Sequence, residues 1–285
     1  MKLLTYSAIT LIIFLSSCQR DWLDYSPIDM YSASLTYDDN NASTFLSVAA
    51  VSIEPSKLNK SETLDTIASL VKKIKKEHAD IQVIVFGELT LGWYYVESEP
   101  EAYQRKMAEI IPGKATDFLQ NLASENQVNI VIGMTEIDTI SNKLYNAQIL
   151  VQPNYNIIKY RKRNLNQTDK ENNMNPGDSL VTVNIDGAKA ALFVCSDMQS
   201  ASISKEIAQA KVDVIFQSLT STTDLNPSIS YVGTQMNTWI VFANRYGNEG
   251  YFNYTGFTQI INPLGGICER VVGKNVYVYR KIGIY

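Results

Sequence analysis

The sequence predicts a single α/β domain that occupies most of the chain. From Phe45 onward, short runs rich in β-branched residues alternate with amphipathic helical segments. Turn pairs such as Pro153-Asn154 and Asp186-Gly187 separate several of these runs. The chain has 285 residues, 45% of them apolar, which is enough to bury one large core. One compact domain is therefore the simplest arrangement.

The first predicted elements are a strand, a helix and a second strand. FLSVAAVSI and IQVIVF are continuous apolar runs, which is typical of buried strands. Between them, Leu64, Ile67 and Val71 fall on one helical face and the lysines fall on another. This spacing predicts a helix that covers a sheet.

Two further helices and seven further strands are expected along the rest of the domain. The helices are predicted at Lys114–Asn126 and at residues 202–210. Because open α/β sheets place their sites at the carboxyl ends of strands, polar residues that follow these strands are the first candidates for function. The predicted strands are VNIVIGM, YNAQILVQ, SLVTVNI, AALFVC, VDVIFQSL, WIVFAN and FTQIIN.

The amino-terminal segment is expected to lie outside this domain. One lysine precedes an apolar stretch shorter than the roughly 20 residues of a membrane-spanning helix, and small residues come directly before Cys18. This pattern resembles a bacterial lipobox, which implies that residues 1–17 are a signal peptide and that Cys18 is lipidated. Residues 18–43 have no helical or strand period and are predicted to be a tether to a domain at residues 44–285. A plain signal peptide or an uncleaved anchor is the alternative.

Composition and cysteine spacing exclude several classes of function. The chain has 25 basic and 29 acidic residues, so it lacks the basic field that nucleic acid requires, and no nucleic-acid partner is expected. Cys18, Cys195 and Cys268 form no CxxC pair and are too scattered for a disulfide framework or a zinc site. No glycine-rich phosphate loop follows a strand. We therefore expect neither a metal nor a cofactor.

Three residues able to do chemistry follow or end apolar runs. Glu88 comes directly after VIVFG, where a charge is costly unless it is paired or used. Lys162 lies in KYRKR, and a basic cluster taken alone is typical of a solvated surface. Cys195 ends AALFVC, and a cysteine after an apolar run, taken alone, is typical of an inert core. The only histidine, His78, lies in the polar end of the first helix. The base for a cysteine nucleophile is therefore expected to be a carboxylate, helped by a lysine.

Together and in this order, these segments resemble the carbon–nitrogen hydrolase superfamily, also called the nitrilase superfamily. VIVFGEL followed by LGWY resembles its glutamate motif. YNAQILVQPNYNIIKYRKRNL resembles its lysine motif, and NPGDSLVTVNIDGAKAALFVCSD resembles its cysteine motif. VDVIFQSLTST, IVFANRYG and TGFTQIINPLGG resemble its later strands. The resemblance covers residues 45–266 and implies a four-layer α-β-β-α sandwich.

The resemblance also implies a reaction. Glu88, Lys162 and Cys195 would meet as the catalytic trio of a thiol amidohydrolase, which cleaves a non-peptide carbon–nitrogen bond of an amide, or less often a nitrile, through a cysteine thioester. The lysine ammonium is expected to favour the thiolate, and Glu88 to accept the thiol proton. The backbone N–H of Ser196 would help to stabilise the oxyanion. Glu171 stands where many members carry a second glutamate that positions the lysine or the substrate; an exposed loop acid is the alternative.

The sequence departs from the family pattern at three places. Gly87 replaces the usual proline before the glutamate, and Gln199 stands where many members have arginine. GTQMN, which begins at Gly233, keeps only Asn237 of the usual Arg-Ala-X-Glu-Asn run. The missing groups normally brace the helices beside the site and the dimer contacts, so the pocket shape and the assembly are open. A homodimer is the assembly that the resemblance implies.

Two other functions are compatible with the same residues. The closing VYVYRKIGIY is similar to the end of the catalytic domain of apolipoprotein N-acyltransferases, which pass the acyl group of the thioester to an amine. A lipid-tethered binding protein could also keep this fold without turnover, because fold does not fix function. The retained trio argues against that binding protein.

The expected partners and location follow from these segments. They are a small-molecule amide or N-acyl substrate, and a membrane contacted through lipid on Cys18. The lipobox places the protein in the bacterial cell envelope. Gln19, rather than aspartate, follows Cys18, which favours the outer membrane.

Overall fold

The computed structural model describes residues 37, 39, 41–222 and 236–285. These residues form two six-stranded sheets that pack face to face, with helices on both outer surfaces. The α-β-β-α sandwich expected from the sequence is therefore confirmed. The predicted signal peptide, Cys18, most of the tether and Gly233 lie outside the described residues.

The first sheet mixes parallel and antiparallel neighbours. β1 is parallel to β2, and β2 is parallel to β3, whereas the remaining neighbours are antiparallel. In spatial order its strands are β14 (Val276–Ile284), β1 (Thr44–Ser52), β2 (Val83–Val85), β3 (Asn129–Asp138), β4 (Lys143–Val151) and β5 (Ile157–Arg161).

The second sheet has a parallel centre with antiparallel strands on both sides. β7, β8 and β9 run in the same direction. A separate hairpin of β10 (Tyr246–Glu249) and β11 (Phe252–Thr255) stands outside both sheets. The strands of the sheet are β13 (Ile267–Val271), β12 (Thr258–Ile261), β9 (Trp239–Asn244), β8 (Val214–Leu219), β7 (Ala188–Val194) and β6 (Thr182–Ile185).

Apolar side chains at alternate strand positions fill the space between the sheets. Val48 and Val83 of the first sheet belong to the same buried cluster as Leu192, Phe216 and Val241 of the second. The neighbouring positions on each strand point outward and pack against helices. Both sheets are therefore buried on two faces, which explains their nearly continuous apolar runs.

The helices close the two outer faces. α1 (Lys60–Glu77) and α3 (Lys114–Asn126) pack on the first sheet, and α5 (Ala201–Ala210) packs on the second. The helix predicted at Lys114–Asn126 has these bounds in the structure. The shorter helices α2 (Pro100–Met107) and α4 (Gln167–Glu171) lie in the connections.

Some elements were not expected from the sequence. β14 pairs with β1 along its whole length, from Thr44 opposite Ile284 to Ser52 opposite Val276. The pairing joins the two ends of the domain, and no local sequence pattern encodes such a distant partner. The β10–β11 hairpin and α2 were also not predicted, because their apolar residues are few and irregularly spaced.

The direction of the strands sets the two ends of the sandwich. β1 is parallel to β2, with Val48 opposite Val83. Thr44, the first residue of β1, therefore lies at the edge of the sandwich away from Val85, the last residue of β2. Tyr37 packs at that same far edge, with its ring 5.1 Å from that of Trp239, the first residue of β9. No helix within the described ranges is long and apolar enough to cross a membrane.

Candidate active site

Three strands end at one edge of the sandwich, and a predicted site residue follows each of them. Glu88 lies three residues after β2, and Lys162 and Cys195 come directly after β5 and β7. The backbone N–H of Glu88 donates to the carbonyl of Leu219 at the end of β8, at 3.2 Å, which joins the two sheets here. The side chains of Glu88 and Lys162 are completely buried. The structure therefore brings the three predicted residues to the same region.

A buried network of four side chains forms the charged part of the site. The Nζ atom of Lys162 lies 2.8 Å from Oε1 of Glu88 and 2.7 Å from Oδ2 of Asp169. Asn146 of β4 donates its Nδ2 to both acids, at 2.7 Å to Glu88 and 3.0 Å to Asp169. Two carboxylates thus share one ammonium, which leaves one negative charge without a cation.

Two oxygens of this network, Oε2 of Glu88 and Oδ1 of Asn146, lack a hydrogen-bond partner within the described residues. Within the described ranges, Oε2 of Glu88 is buried and has no hydrogen bond, whereas Oε1 accepts from Lys162 and Asn146. Leaving a buried carboxylate oxygen without a donor is costly. Such an oxygen is well suited to accept a proton from a neighbouring group.

Cys195 is the first residue of a short 3₁₀ helix, Cys195–Gln199, which directly follows β7, and its backbone is strained. Its φ angle is 44°, a left-handed conformation that is uncommon for residues with a side chain and that concentrates at functional sites. The backbone of Thr220 lowers the pKa of the Cys195 thiol. Gln217 of β8 donates to the carbonyl of Cys195 at 3.3 Å, which helps to hold the turn.

The resting cysteine is a thiol rather than a thiolate. Burial raises the pKa of Cys195, and the charges of Glu88 and Asp169 raise it further. The Lys162 ammonium lowers the pKa of the thiol, as expected from the sequence, but it does not outweigh the other effects. The effect of the lysine thus has the expected direction, and the proton that Glu88 is expected to accept is still on the sulfur in the resting site.

Lys162 keeps its positive charge. Burial alone would lower the pKa of this ammonium, but the carboxylates of Glu88 and Asp169, together with Tyr94 and Cys195, hold it well above its usual value. The Nζ atom lies 5.7 Å from the centre of the Tyr94 ring. The site thus combines a fixed cation with a neutral thiol.

The acid predicted to assist the lysine is not the one that contacts it. Glu171 is exposed at the end of α4, where its carboxylate accepts from Gln167 at 3.0 Å. Asp169, two residues earlier, is fully buried and pairs with Lys162. The N-cap of α4 orients Asp169, because Asn166 and Asp169 exchange hydrogen bonds of 3.0 Å with each other's backbone N–H. The expectation that Glu171 positions the lysine is therefore corrected in favour of Asp169.

Asp197 fixes the position of the cysteine turn relative to the lysine strand. Its carboxylate accepts from the Tyr160 hydroxyl at 2.7 Å and from the backbone N–H groups of Arg163 and Asn164 at 3.0 and 2.7 Å. Ser196 donates its hydroxyl to the carbonyl of Asn164 at 2.6 Å. The contribution of the Ser196 backbone N–H to an oxyanion stays a prediction.

Two glycines allow the Glu88 loop to approach both sheets. A Cβ atom at Gly133 of β3 would lie 2.7 Å from Cα of Glu88 and 2.6 Å from the backbone nitrogen of Leu89. A Cβ atom at Gly87 would lie 3.2 Å from the backbone nitrogen of Arg245. Gly133 was not among the residues predicted to shape the site, although a glycine inside a strand often marks such a close approach.

A second buried ion pair braces the same loop. Arg245 donates to the carbonyls of Glu88 at 3.4 Å and Gly92 at 2.7 Å, and it contacts the carboxylate of Glu249. Glu249 in turn accepts the backbone N–H of Tyr94 at 2.8 Å. Arg245 lies in the IVFANRYG segment, whose pattern did not predict this role.

The other reactive side chains lie elsewhere. His78 ends α1, where its ring stacks on that of Tyr279 with a centroid distance of 3.8 Å. Cys268 of β13 is half-buried, with its sulfur 3.5 Å from Nδ2 of Asn262. Across the described residues, no three side chains of His, Cys, Asp or Glu come together as metal ligands.

Curated relatives with related sequences are named as nitrilases and amidases. A nitrilase from Pyrococcus abyssi is 29% identical over 219 residues, which cover 76% of this chain and 81% of that protein. An (R)-stereoselective amidase from a Pseudomonas species is 24% identical over 214 residues, 73% of each chain.

Solved structures and a family model agree with this relationship. Nit3 of Saccharomyces cerevisiae, a member of the nitrilase superfamily, superposes with a TM-score of 0.77 at 20% identity over 85% of this chain and 91% of its own. An amidase from a Nesterenkonia species has a TM-score of 0.74 at 14% identity over 84% and 90%. At sequence identities of 20% and 14%, these superpositions show that the fold is shared and nothing further. The family model for carbon-nitrogen hydrolases matches residues 47–275. The chain therefore belongs to the carbon–nitrogen hydrolase family.

Proposed function

We propose that this carbon–nitrogen hydrolase cleaves an amide through a thioester on Cys195. The observation that carries the proposal is the buried Glu88 carboxylate, one oxygen of which is held by Lys162 while the other has no partner within the described residues. The charge of this carboxylate acts directly on the thiol. A base, a cation and a nucleophile are thus close together in a site from which water is largely excluded.

The first step joins the sulfur to the carbonyl carbon of the amide. Because the thiol pKa is raised, its proton leaves as the sulfur attacks, and Oε2 of Glu88 accepts it. The pair of electrons from the carbonyl bond moves to the oxygen, which becomes an oxyanion. Glu88 then returns the proton to the nitrogen, the carbon–nitrogen bond breaks, and ammonia or an amine leaves.

Lys162 is the charge that stabilises the oxyanion. An ammonium has three hydrogens to donate; one is donated to Glu88, and Asp169 forms an ion pair with the same nitrogen at 2.7 Å. The third is available for the oxyanion, together with the backbone N–H of Ser196. The two carboxylates fix the orientation of the ammonium before the substrate binds.

The second step consumes water and regenerates the enzyme. Glu88 takes a proton from a water molecule as the water oxygen attacks the thioester carbon. The carbon–sulfur bond then breaks, a carboxylic acid is released, and the proton returns to Cys195. The net reaction adds one water molecule across the carbon–nitrogen bond.

Intact-protein mass spectrometry tests this proposal. The chain from Thr44 onward is incubated with a panel of amides, nitriles and N-acyl compounds, and Cys195→Ala and Cys268→Ala serve as matched variants. We expect an added acyl mass on the native protein and on Cys268→Ala, and none on Cys195→Ala. An adduct that survives in Cys195→Ala would overturn the role of this cysteine.

The same measurement separates hydrolysis from acyl transfer. A hydrolase loses the added mass in water alone, whereas a transferase needs an added amine to lose it at a comparable rate. If none of the compounds gave an adduct or were turned over, the non-catalytic binding protein would become the better description.

We also propose that the protein works in the cell envelope, held by lipid on Cys18. The support is the sequence pattern before this residue, in which small residues follow a short apolar stretch. Growth of the producing bacterium with labelled palmitate should label the native protein and not a Cys18→Ala variant. Equal labelling of both proteins would contradict the proposal.

A further inference from the structure

Four aromatic rings form a continuous row along the β10–β11 hairpin. Tyr254 and Phe252 are alternate residues of β11, with ring centroids 6.1 Å apart and planes 13° apart. Tyr251, at the tip, lies 4.6 Å from Phe252. Tyr95, from the loop after Glu88, lies 4.8 Å from Phe252 and 4.7 Å from Tyr251. We call Tyr95, Tyr251, Phe252 and Tyr254 the aromatic array.

The inner end of the array lies beside the catalytic residues. Tyr254 is only 3% exposed, and its ring centre lies 5.7 Å from the guanidinium of Arg245, which donates to the backbone carbonyl of Glu88 at 3.4 Å. Burial raises the pKa of Tyr254, and the charges of Glu249, Glu88 and Cys195 act in the same direction. The first ring of the array therefore packs on the guanidinium that holds the Glu88 loop.

The outer end of the array reaches solvent. Tyr251 is 72% exposed, and Tyr95 and Phe252 are half-buried. Packing of the core does not require three rings in mutual contact at the surface, and exposed apolar clusters on a monomer often mark binding sites. The array thus runs from a buried ring beside Arg245 to an exposed ring at the tip of the hairpin.

The array is held in place before any substrate binds. Glu249 accepts the backbone N–H of Tyr95 at 2.9 Å, which links its loop to the hairpin. Gly250 has a φ of 58°, and a Cβ atom there would lie 2.8 Å from the Tyr95 ring. A glycine at this turn therefore lets the Tyr95 ring lie directly against the tip of the hairpin.

We propose that the aromatic array binds an aromatic group of the substrate, so that this enzyme prefers amides that carry an aryl ring several bonds from the scissile carbonyl. The proposal rests on the proposed amide hydrolysis and adds the substrate class. Aromatic rings attract one another in offset or edge-to-face geometry at centroid distances of about 4.5 to 7 Å, the range already found within the array. A bound ring would pack against the partly exposed rings of this row, Tyr95, Tyr251 and Phe252.

Two amides of equal carbon number test the preference, one ending in phenyl and the other in cyclohexyl. The cyclohexyl group is at least as apolar, so burial alone does not favour the phenyl compound. We expect kcat/KM to be about fivefold higher for the phenyl amide, in line with the usual strength of aromatic pairs. Equal values, or a preference for cyclohexyl, would overturn the aromatic substrate class.

Variants at Phe252 link that ratio to the array. Phe252→Leu should bring the ratio close to one, and Phe252→Tyr should keep it, because only the second substitution retains a ring. Tyr155→Leu is the matched control, since Tyr155 is 55% exposed in the turn between β4 and β5. A ratio that Phe252→Leu leaves unchanged, or that Tyr155→Leu changes equally, would contradict the assignment.

A binding measurement separates this inference from the proposed reaction. Calorimetry with Cys195→Ala compares the affinities of the two amides without any turnover. If no thioester forms on the native protein but the phenyl amide still binds about fivefold tighter in a Phe252-dependent manner, the reaction is wrong and the array stands. If thioesters form but both amides bind equally or not at all, the reaction stands and the array is wrong.

Discussion

Two buried ion pairs lie side by side in this protein, and they differ in what their acids contact. Glu88, paired with Lys162, has one carboxylate oxygen without a partner in the described part of the chain. Glu249, paired with Arg245, uses Oε2 to accept the backbone N–H groups of Tyr94 and Tyr95, and its Oε1, which accepts no hydrogen bond within the described residues, is in ion-pair contact with the guanidinium. Both pairs are almost completely removed from solvent.

The difference separates a reactive pair from a bracing pair. Removing one partner of a buried ion pair leaves an uncompensated charge, so both pairs are costly to disturb. At Lys162, however, Asp169 is a second acid, and the lysine stays paired if Glu88 is neutralised. At Arg245, Glu249 is the acid that is paired with the guanidinium. In the proposed reaction the first pair supplies the base and the cation, whereas the second pair holds the Glu88 loop through the carbonyls that Arg245 binds.

The largest expected effect is on the rate of the Glu88→Gln variant. The amide cannot accept the thiol proton, so kcat/KM should fall by about 10²- to 10⁴-fold. The free energy of unfolding should change little, because Lys162 remains paired with Asp169. Turnover assays and urea unfolding measure the two quantities. Loss of stability without loss of rate would reverse the roles of the two pairs.

The Glu249→Gln variant should show the opposite balance. It leaves the Arg245 guanidinium buried without its acid, so the free energy of unfolding should fall by about 3 kcal/mol or more. The glutamine oxygen can still accept the backbone N–H of Tyr94, so the rate should fall less than in Glu88→Gln. Denaturant unfolding of both variants, with turnover measured on the folded fraction, tests this contrast.

Gly133→Ala probes the geometry of the reactive pair without changing its charge. The added methyl group would lie 2.7 Å from Cα of Glu88, so the loop must shift. We expect kcat to fall by about 10-fold or more, because small misplacements of a catalytic group are costly. Ala123→Gly, a change in α3 away from the site, serves as a control for stability. An unchanged kcat in Gly133→Ala would show that Glu88 tolerates displacement.

The smallest expected effect is a shift in the titration of the thiol. Asp169 raises the pKa of Cys195, so Asp169→Asn should lower that pKa and let the thiolate form at lower pH. Ultraviolet absorbance of the thiolate as a function of pH, with Cys195→Ala subtracted, measures the change. Glu171→Gln is the matched control and should leave the titration in place. An upward shift in Asp169→Asn would contradict the shared-lysine network.

The sequence was informative where local pattern and chemistry coincide. Glu88 and Cys195 could be located because each is a polar or reactive residue next to a buried run, and Lys162 because it ends a short strand within a recognisable motif. The Lys114–Asn126 helix could be bounded because its apolar spacing is regular. These features depend on residues that are close together along the chain, so the pattern is visible in the sequence itself.

Other parts of the site depend on contacts that the sequence does not encode locally. Asp169 and Glu171 are both acids in a five-residue helix, too short for a periodic pattern to show which one faces inward. The capping pair of Asn166 with Asp169 was the available signal. Arg245 and Gly133 act on the Glu88 loop from distant strands, so their roles appear only when the two sheets are assembled.

The direction of β1 has a consequence for access to the enzyme. Its nine residues run parallel to β2 from Thr44, so the point where the chain enters the sandwich lies roughly 30 Å from the edge that carries the trio. The entry point and the trio therefore lie at opposite ends of the sandwich. A surface that held the chain through residues before Thr44 would contact the end of the domain away from Glu88, Lys162 and Cys195.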